Sequence, residues 1–311
     1  MRICRRAAAF ALLSALAAGA PAAAQDWSLL ENSCAGDSGL GDELRIGACT
    51  TLIESGRYKG DYLSFVYHNR AYVHASRKEW NDAIRDYGEA IKHKPGDPEL
   101  FHNRAVAYQN QEQFDRALAD YGEAIRLKPD YVEAFHGRGM LHADRRDYDR
   151  AIADYDRALA LKPDYADAFI DRGNAWSDKG DFAKALADFD RAVSLKPGDG
   201  WALNARCYGR ASAGQLAEAL ADCNRSLALK PGEPETLDSR GFTYLKMGRL
   251  DAAIADYDAA LKADPKHAGA LYGRGLAWRR KGDEARAAAD IAAAKAIKAD
   301  IGEELAKRGL K

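Results

Sequence analysis

Residues 169–197 read FIDRGNAWSDKGDFAKALADFDRAVSLKP, and the layout of this stretch decides the fold. Apolar residues recur at helical period for about three turns, stop at Gly180-Asp181, and resume until Pro197 ends the pattern. The stretch reads as a helical hairpin. Proline returns every 34 residues, at Pro95, Pro129, Pro163, Pro197, Pro231 and Pro265, with no insertion between them. Equivalent turns stand at Lys78-Glu79, Gly214-Gln215, Gly248-Arg249 and Gly282-Asp283. Self-similarity at a fixed period of this length marks a stacked array, in which each hairpin buries its apolar face against its neighbours.

Small residues occupy the place where the first helix of a unit meets the second, at Ala71, Ala105, Gly139, Gly173, Gly241 and Gly275. Alanine follows in every second helix, at Ala83, Ala117, Ala151, Ala185, Ala219, Ala253 and Ala287. Large rings fill the next column, at Tyr87, Tyr121, Tyr155, Phe189 and Tyr257. These columns resemble the tetratricopeptide repeat. The resemblance implies an all-α fold, a right-handed α-solenoid of tandem helical hairpins. Seven units run over residues 64–299, the last lacking the proline and carrying Ile291 in the ring column. Residues 25–63 read as a degenerate N-terminal hairpin with a linker, and residues 300–311 as a C-terminal capping helix that solvates the open end of the array.

Arginine fills one column in all seven units, at Arg70, Arg104, Arg138, Arg172, Arg206, Arg240 and Arg274. Aspartate does so sixteen residues later, at Asp86, Asp120, Asp154, Asp188, Asp222, Asp256 and Asp290. A ligand site does not need one group seven times, whereas a packing interface between repeated units does. An arginine at such an interface must be paired and hydrogen-bonded. Pairing from one unit to the next would strand Arg70 and Asp290, because Ala48 takes the aspartate column upstream. The sequence therefore predicts pairing within each hairpin.

Residues 1–24 carry three arginines, an apolar run from Ala7 to Ala20 shorter than a membrane span, and Ala22-Ala23-Ala24 before Gln25. This is the layout of a cleaved signal peptide, and it predicts a periplasmic or secreted protein with no stable membrane span after cleavage. The chain resembles the exported, periplasmic tetratricopeptide repeat proteins of Gram-negative bacteria. Without the leader it holds 43 basic against 47 acidic side chains, a net charge of −4. No basic excess is left for a polyanion, which argues against nucleic acid as a partner. Cys34, Cys49, Cys207 and Cys223 remain, an even number that in an exported chain invites disulfides. Cys207 follows Arg206 and Cys223 follows Asp222, so the two stand in the small column and the ring column, which face each other across a hairpin. Cys34 and Cys49 are spaced one residue closer. The expected bridges are Cys34–Cys49 and Cys207–Cys223. The competing reading treats Cys207 and Cys223 as small buried apolar residues of a reduced protein.

Three histidines, His68, His102 and His136, share a column of successive first helices. Packed helices lie about 9–10 Å apart, so two of these rings could share an ion but three could not converge. No carboxylate or thiolate column completes a site, and the column reads as groove-lining polarity; no metal or cofactor is expected. The glycines of GRG and DRG follow a helix start, not a strand, so they form no phosphate loop. No serine, histidine and acid share an arrangement suited to acyl transfer, and the chain does not read as an enzyme.

In the family that the chain resembles, the first helices line a concave face and recognition occurs there. The lining residues implied are His68, Asn69 and Tyr72; His102, Asn103 and Val106; His136 and Met140; Asp171 and Asn174; Asn204 and Tyr208; Asp238 and Phe242; and Tyr272. The early groove offers histidine and asparagine, the middle is acidic through Glu133, Asp144, Asp167, Asp171 and Asp178, and the late part is aromatic with Arg279 and Arg280 at its rim. Chaperone-binding members grip a terminal carboxylate with lysine, asparagine and arginine in these columns. Here Asn103 alone matches. The expected function is a non-catalytic protein–protein interaction scaffold that holds an extended peptide or a partner helix. The alternative is an enzyme, or an enzyme accessory, acting on cell-envelope polymers through the acidic middle of the groove.

Overall fold

A computed structural model describes residues 26–36 and 39–310, and the leader and the cleavage point before Gln25 lie outside them. The described residues hold seventeen helices and no strand. An N-terminal hairpin is made of α1 (Trp27–Ala35) and α2 (Asp42–Glu54). Two hairpins follow, α3 (Gly60–Ser76) with α4 (Trp80–His93) and α5 (Pro98–Asn110) with α6 (Phe114–Leu127), then the helices α7 (Val132–Asp144) and α8 (Tyr148–Leu161), then four hairpins, α9 (Ala166–Asp178) with α10 (Phe182–Leu195), α11 (Gly200–Ser212) with α12 (Leu216–Leu229), α13 (Pro234–Lys246) with α14 (Leu250–Ala263), and α15 (Ala268–Arg280) with α16 (Glu284–Ile297). The last helix is α17 (Ile301–Lys307). The chain divides into two compact units, Met1–Leu141 and His142–Lys311.

The turn chemistry explains where each first helix stops. One backbone position per unit takes a left-handed conformation, occupied by Lys78, Glu112 and Arg146 in the early units and by Gly180, Gly214, Gly248 and Gly282 in the later ones. In Gly-Asp turns the next residue caps the second helix. The Asp181 side chain accepts from Lys184 N, and that of Asp283 accepts from Arg286 N. The typical glycine is thus absent from the early turns although the geometry is the same.

The ring column fills the space that small residues leave. A Cβ on Gly173 would lie 2.6 Å from Phe189, and one on Gly209 would lie 2.7 Å from the other edge of the same ring. Phe189 is wedged between its own first helix and the next. Cys207 and Cys223 take the same two places in their unit, and there a disulfide substitutes for the ring contact, with Cα atoms 5.4 Å apart. Cys34 and Cys49 are bridged across the N-terminal hairpin, at 4.9 Å. All four cysteines are buried.

The arginine ladder pairs as the sequence suggests and also does more. Bidentate contacts join Arg70 to Asp86 and Arg104 to Asp120 in the first unit. In the second unit they join Arg172 to Asp188, Arg206 to Asp222, Arg240 to Asp256 and Arg274 to Asp290. The remaining column pair, Arg138 and Asp154, belongs to different units. Each of these second-unit arginines uses its free Nη1 on the preceding hairpin, through Asp156, Asp190, Asn224 and Asp258 in turn. Arg70 does the same with Thr50. One guanidinium therefore fastens its own hairpin with two hydrogen bonds and the previous hairpin with a third.

In the second unit α17 packs on α15 and α16, and the segment that follows reaches back to the first helices α9, α11 and α13. Of α16 only Ala287 and Ala294 are buried, Ile291 packs against the core and Ile297 is exposed. Ile301, Leu305 and Leu310 sink into the core shared with Phe242, Leu245 and Leu276.

Candidate functional site

In the first unit the groove histidines are tied to one another through Asn103. Asn103 Nδ2 donates to His68 Nε2 at 3.2 Å, which leaves its Oδ1 to accept from His102 Nδ1 at 3.3 Å. Burial pushes both rings below the usual histidine range, consistent with neutral imidazoles that each give or take one hydrogen bond. Asn69, one column over, buries its Nδ2 with no hydrogen-bond partner among the described residues. Tyr72 and Met140 are exposed, His136 lies one turn before Met140 on α7, and Val106 is partly buried against the core around Tyr121. His74, Glu79 and Asp82 bring ligand-type atoms within 4.8 Å of one another. They already hold partners, His74 with Glu79, Glu79 with Arg77, and Asp82 with Arg85.

In the second unit the first helices α9 and α13 carry the acidic residues Asp167, Asp171, Asp178, Glu235 and Asp238, and the chain's own C-terminal segment reaches α9 at Asp178. Arg308, only 7% exposed, donates to Asp178 Oδ1 and to Ser177 Oγ, and its guanidinium carbon sits 4.8 Å from the ring centre of Tyr208. Lys246 Nζ donates to the carbonyl of Arg308 at 2.9 Å and to that of Ala211 at 2.7 Å, fixing the end of the segment to the end of α11. Arg146 pairs with Asp300 at 2.6 Å. Burial pushes the Asp178 carboxyl up while Arg308 pulls it down, and Asp144 is held up by burial and by the nearby charge of Asp171. A cleft of about 470 Å³ remains between the segment and the ends of α7, α8 and α9, lined by Asp144, Tyr148, Asp178 and Glu304 among others.

A second cleft, of about 180 Å³, brings together Asn174, Trp201, Asn204, Tyr208, Glu235, Asp238 and His267. Four of the groove residues expected from sequence therefore meet here: Asn174, Asn204, Tyr208 and Asp238. Asp171 lies one turn away on α9. Two of the aromatic residues named from sequence take part in the packing of the second unit. Phe242 is buried to 2% beneath Tyr208, with ring centres 5.1 Å apart, and belongs to the core. Tyr272 is covered by α17, where a Cβ on Gly302 would lie 2.7 Å from its hydroxyl.

Burial pushes the Asp238 carboxyl up to about 6, against the pull of His267. The folded chain thus holds this proton more tightly than the unfolded chain, whose aspartates titrate near ~3.9. The stability that the group contributes is fully present below about pH 4 and is lost as the pH rises through about 6. Asp238→Asn is therefore expected to be the more stable protein at pH 7, by about 1–2 kcal/mol after allowance for partial exposure of the carboxylate. The difference should close below pH 4. Urea titrations of both proteins across this range check it, and a less stable variant at pH 7 would mean that the carboxylate makes a stabilising contact.

The site residues not singled out from sequence are Arg308, Ser177, Trp201, Glu235, Lys246 and His267. Trp201 and Glu235 were legible, since they continue at 34-residue spacing the column of Glu133 and Asp167. Arg308 was not, because its partners lie 130 residues away in the chain.

Models of the tetratricopeptide repeat match residues 139–207, 102–165 and 240–302, and a TPR repeat model matches residues 71–112. The chain belongs to the tetratricopeptide repeat family. Its fold is the all-α solenoid of tandem hairpins typical of that family. Solved structures agree. A tetratricopeptide repeat protein from Parabacteroides merdae is 20% identical, with a TM-score of 0.67 over 79% of this chain and 98% of the other. PilW, a type IV pilus biogenesis factor, is 22% identical, with a TM-score of 0.57 over 67% of this chain and 96% of its own. The Cut9–Hcn1 assembly of the APC/C is 17% identical, with a TM-score of 0.64 over 91% of this chain and 55% of the other. At these identities the likeness is one of fold. No curated protein sequence matches the chain. Tetratricopeptide repeat proteins are in general non-catalytic scaffolds that bind protein or peptide partners. None of the described helices is long and apolar enough to cross a membrane.

Proposed function

We propose that this tetratricopeptide repeat protein is a non-catalytic scaffold of the periplasm, which holds a peptide or partner helix on the concave face of its repeats. One observation carries the reading: the groove of the second unit already holds a short helix and its flanking turn. Ile301, Leu305 and Leu310 give that segment an apolar underside, and Arg308 gives it a charged anchor against Asp178 and Tyr208. This is recognition of an amphipathic segment by a helical groove, carried out within one chain. The leader read from the sequence and the two buried disulfides support an oxidising compartment. Asp178, one of the acidic residues an envelope-polymer enzyme would use, is engaged with the cation of Arg308.

A photo-crosslinking residue placed at Asn174, in a chain expressed in its native envelope, is expected to trap a protein partner. One placed at Glu218, exposed on the second helix α12, should trap none. Equal adducts from both positions, or none from the groove, would count against the proposal.

A further inference from the structure

The cleft lined by Trp201, Asn204, Tyr208 and Asp238 gathers polar groups left unpaired among the described residues. Asn204 forms its floor. This residue is 7% exposed, and its buried Oδ1 has no hydrogen-bond partner among the described residues. A buried amide oxygen left unpaired is costly, and such groups are normally matched by protein, water or ligand. Asp238 lies beside it with no hydrogen bond or ion pair to any described residue; the charged groups facing it are His267 and Glu235. His267 cannot satisfy it through Nδ1, which accepts from Ala270 N at 3.1 Å. Trp201 stands at the mouth with half of its surface open to solvent, an unusual exposure for a tryptophan in a well-packed repeat. Tyr208 forms the shared wall, and its ring already bears one cation, Arg308.

Two unpaired acceptors, one of them anionic, between two aromatic rings make a receptor for an ammonium or guanidinium group, and reject a carboxylate. We propose that the cleft formed by Trp201, Asn204, Tyr208 and Asp238 binds the side chain of a lysine or arginine in an incoming peptide, one step along the groove from the seat of Arg308. This rests on the reading of the groove as a peptide-binding face and assigns the chemistry of its partner, a basic segment. The contact is opposite in sign to the capture of a terminal carboxylate.

The test uses the full chain and three fluorescein-labelled nonapeptides, each three repeats of Ala-Lys-Gly, Ala-Gln-Gly or Ala-Glu-Gly. Fluorescence anisotropy reports affinity, and the Trp201 indole resonance reports the cleft. The lysine peptide is expected to bind and to shift that resonance. Asp238→Asn and Asn204→Leu should each weaken it about ten-fold or more. Glu218→Gln, far from the groove, should not change it. Thermal melting of Asp238→Asn keeps loss of binding separate from loss of fold. Unchanged affinity in Asp238→Asn overturns the proposal. Equal binding of the glutamine peptide with the same Trp201 shift overturns the cation assignment while leaving the groove reading intact. Failure of all three peptides to perturb Trp201 removes both. Displacement of the lysine peptide by spermidine at equal concentration would reassign the seat to a free amine and overturn the peptide partner.

Discussion

Replacing Asp188 alone by alanine is expected to destabilise the protein by about 3 kcal/mol, the lower end of the range for a broken buried ion pair. Asp188 is 5% exposed and accepts both bonds of a guanidinium fork, at 2.6 and 2.9 Å. Its loss leaves Arg172 facing the hairpin interior, but Nη1 of that arginine keeps Asp156 at 2.5 Å, which softens the penalty. Asp222→Ala should cost more. Asp222 is 2% exposed and accepts from both Arg206 and Arg210, so two cations lose this partner at once and are left to share Asp190. Removing both partners, with Arg172→Leu and Asp188→Leu, should cost much less than either single change. Burial pushes the Asp188 carboxyl up more strongly than Arg172 pulls it down, while hydrogen bonding to Asp188 holds Arg172 further up. The carboxylate is the deeper group, so its desolvation decides the net value and consumes most of the attraction. Urea unfolding of the three variants checks the order. A double variant as damaged as Asp188→Ala would show that packing, not an unpaired charge, sets the cost.

Removing the bridge in Cys207→Ala with Cys223→Ala should cost about 3 kcal/mol, the chain-entropy value for a loop of roughly 15 residues. A further loss is expected from packing, because this unit lacks the ring that Phe189 supplies in the unit before it and two alanines would leave a void. The N-terminal pair should give a similar entropic loss without the void. Cys34 and Cys49 close a loop of the same size, and Leu30, Leu52 and Val66 already fill the space around them. Purified without reductant, the protein should show no reactive thiol among these four cysteines even in denaturant. Four thiols under those conditions would remove both the bridges and the argument for an oxidising compartment.

The hairpins, the ring column and the within-hairpin ladder were legible because each repeats at 34 residues, and repetition is the one long-range signal that a single sequence carries. The third hydrogen bond of each arginine was equally repetitive. In DYDRAL, DFDRAV, DCNRSL and DYDAAL the residue two after the ladder aspartate is Asp156, Asp190, Asn224 or Asp258. It passed unnoticed because the early units carry Gly88 and Gly122 there, and the column does not run the length of the chain. The seat of Arg308 had no such signal. Its partners Ser177 and Asp178 end a helix eight helices earlier, and nothing periodic links them to residues 301–310. Phe242 misled for a related reason: the lining columns face the groove in most units, and here Tyr208 and the C-terminal segment close over the ring.

The most direct test of the account is to supply the C-terminal segment in trans. A chain ending at Lys298 and a fluorescein-labelled peptide of residues 299–311, ADIGEELAKRGLK, are mixed and followed by anisotropy. Saturable binding is expected, weakened about ten-fold or more by Arg308→Ala in the peptide and by Asp178→Asn in the chain, since each leaves a buried charge unpaired. The full-length protein, in which Arg308 already occupies this seat, should bind the peptide far less. Equal binding of the wild-type and Arg308→Ala peptides, or none to a shortened chain that remains folded, would contradict the claim that this groove recognises a basic segment.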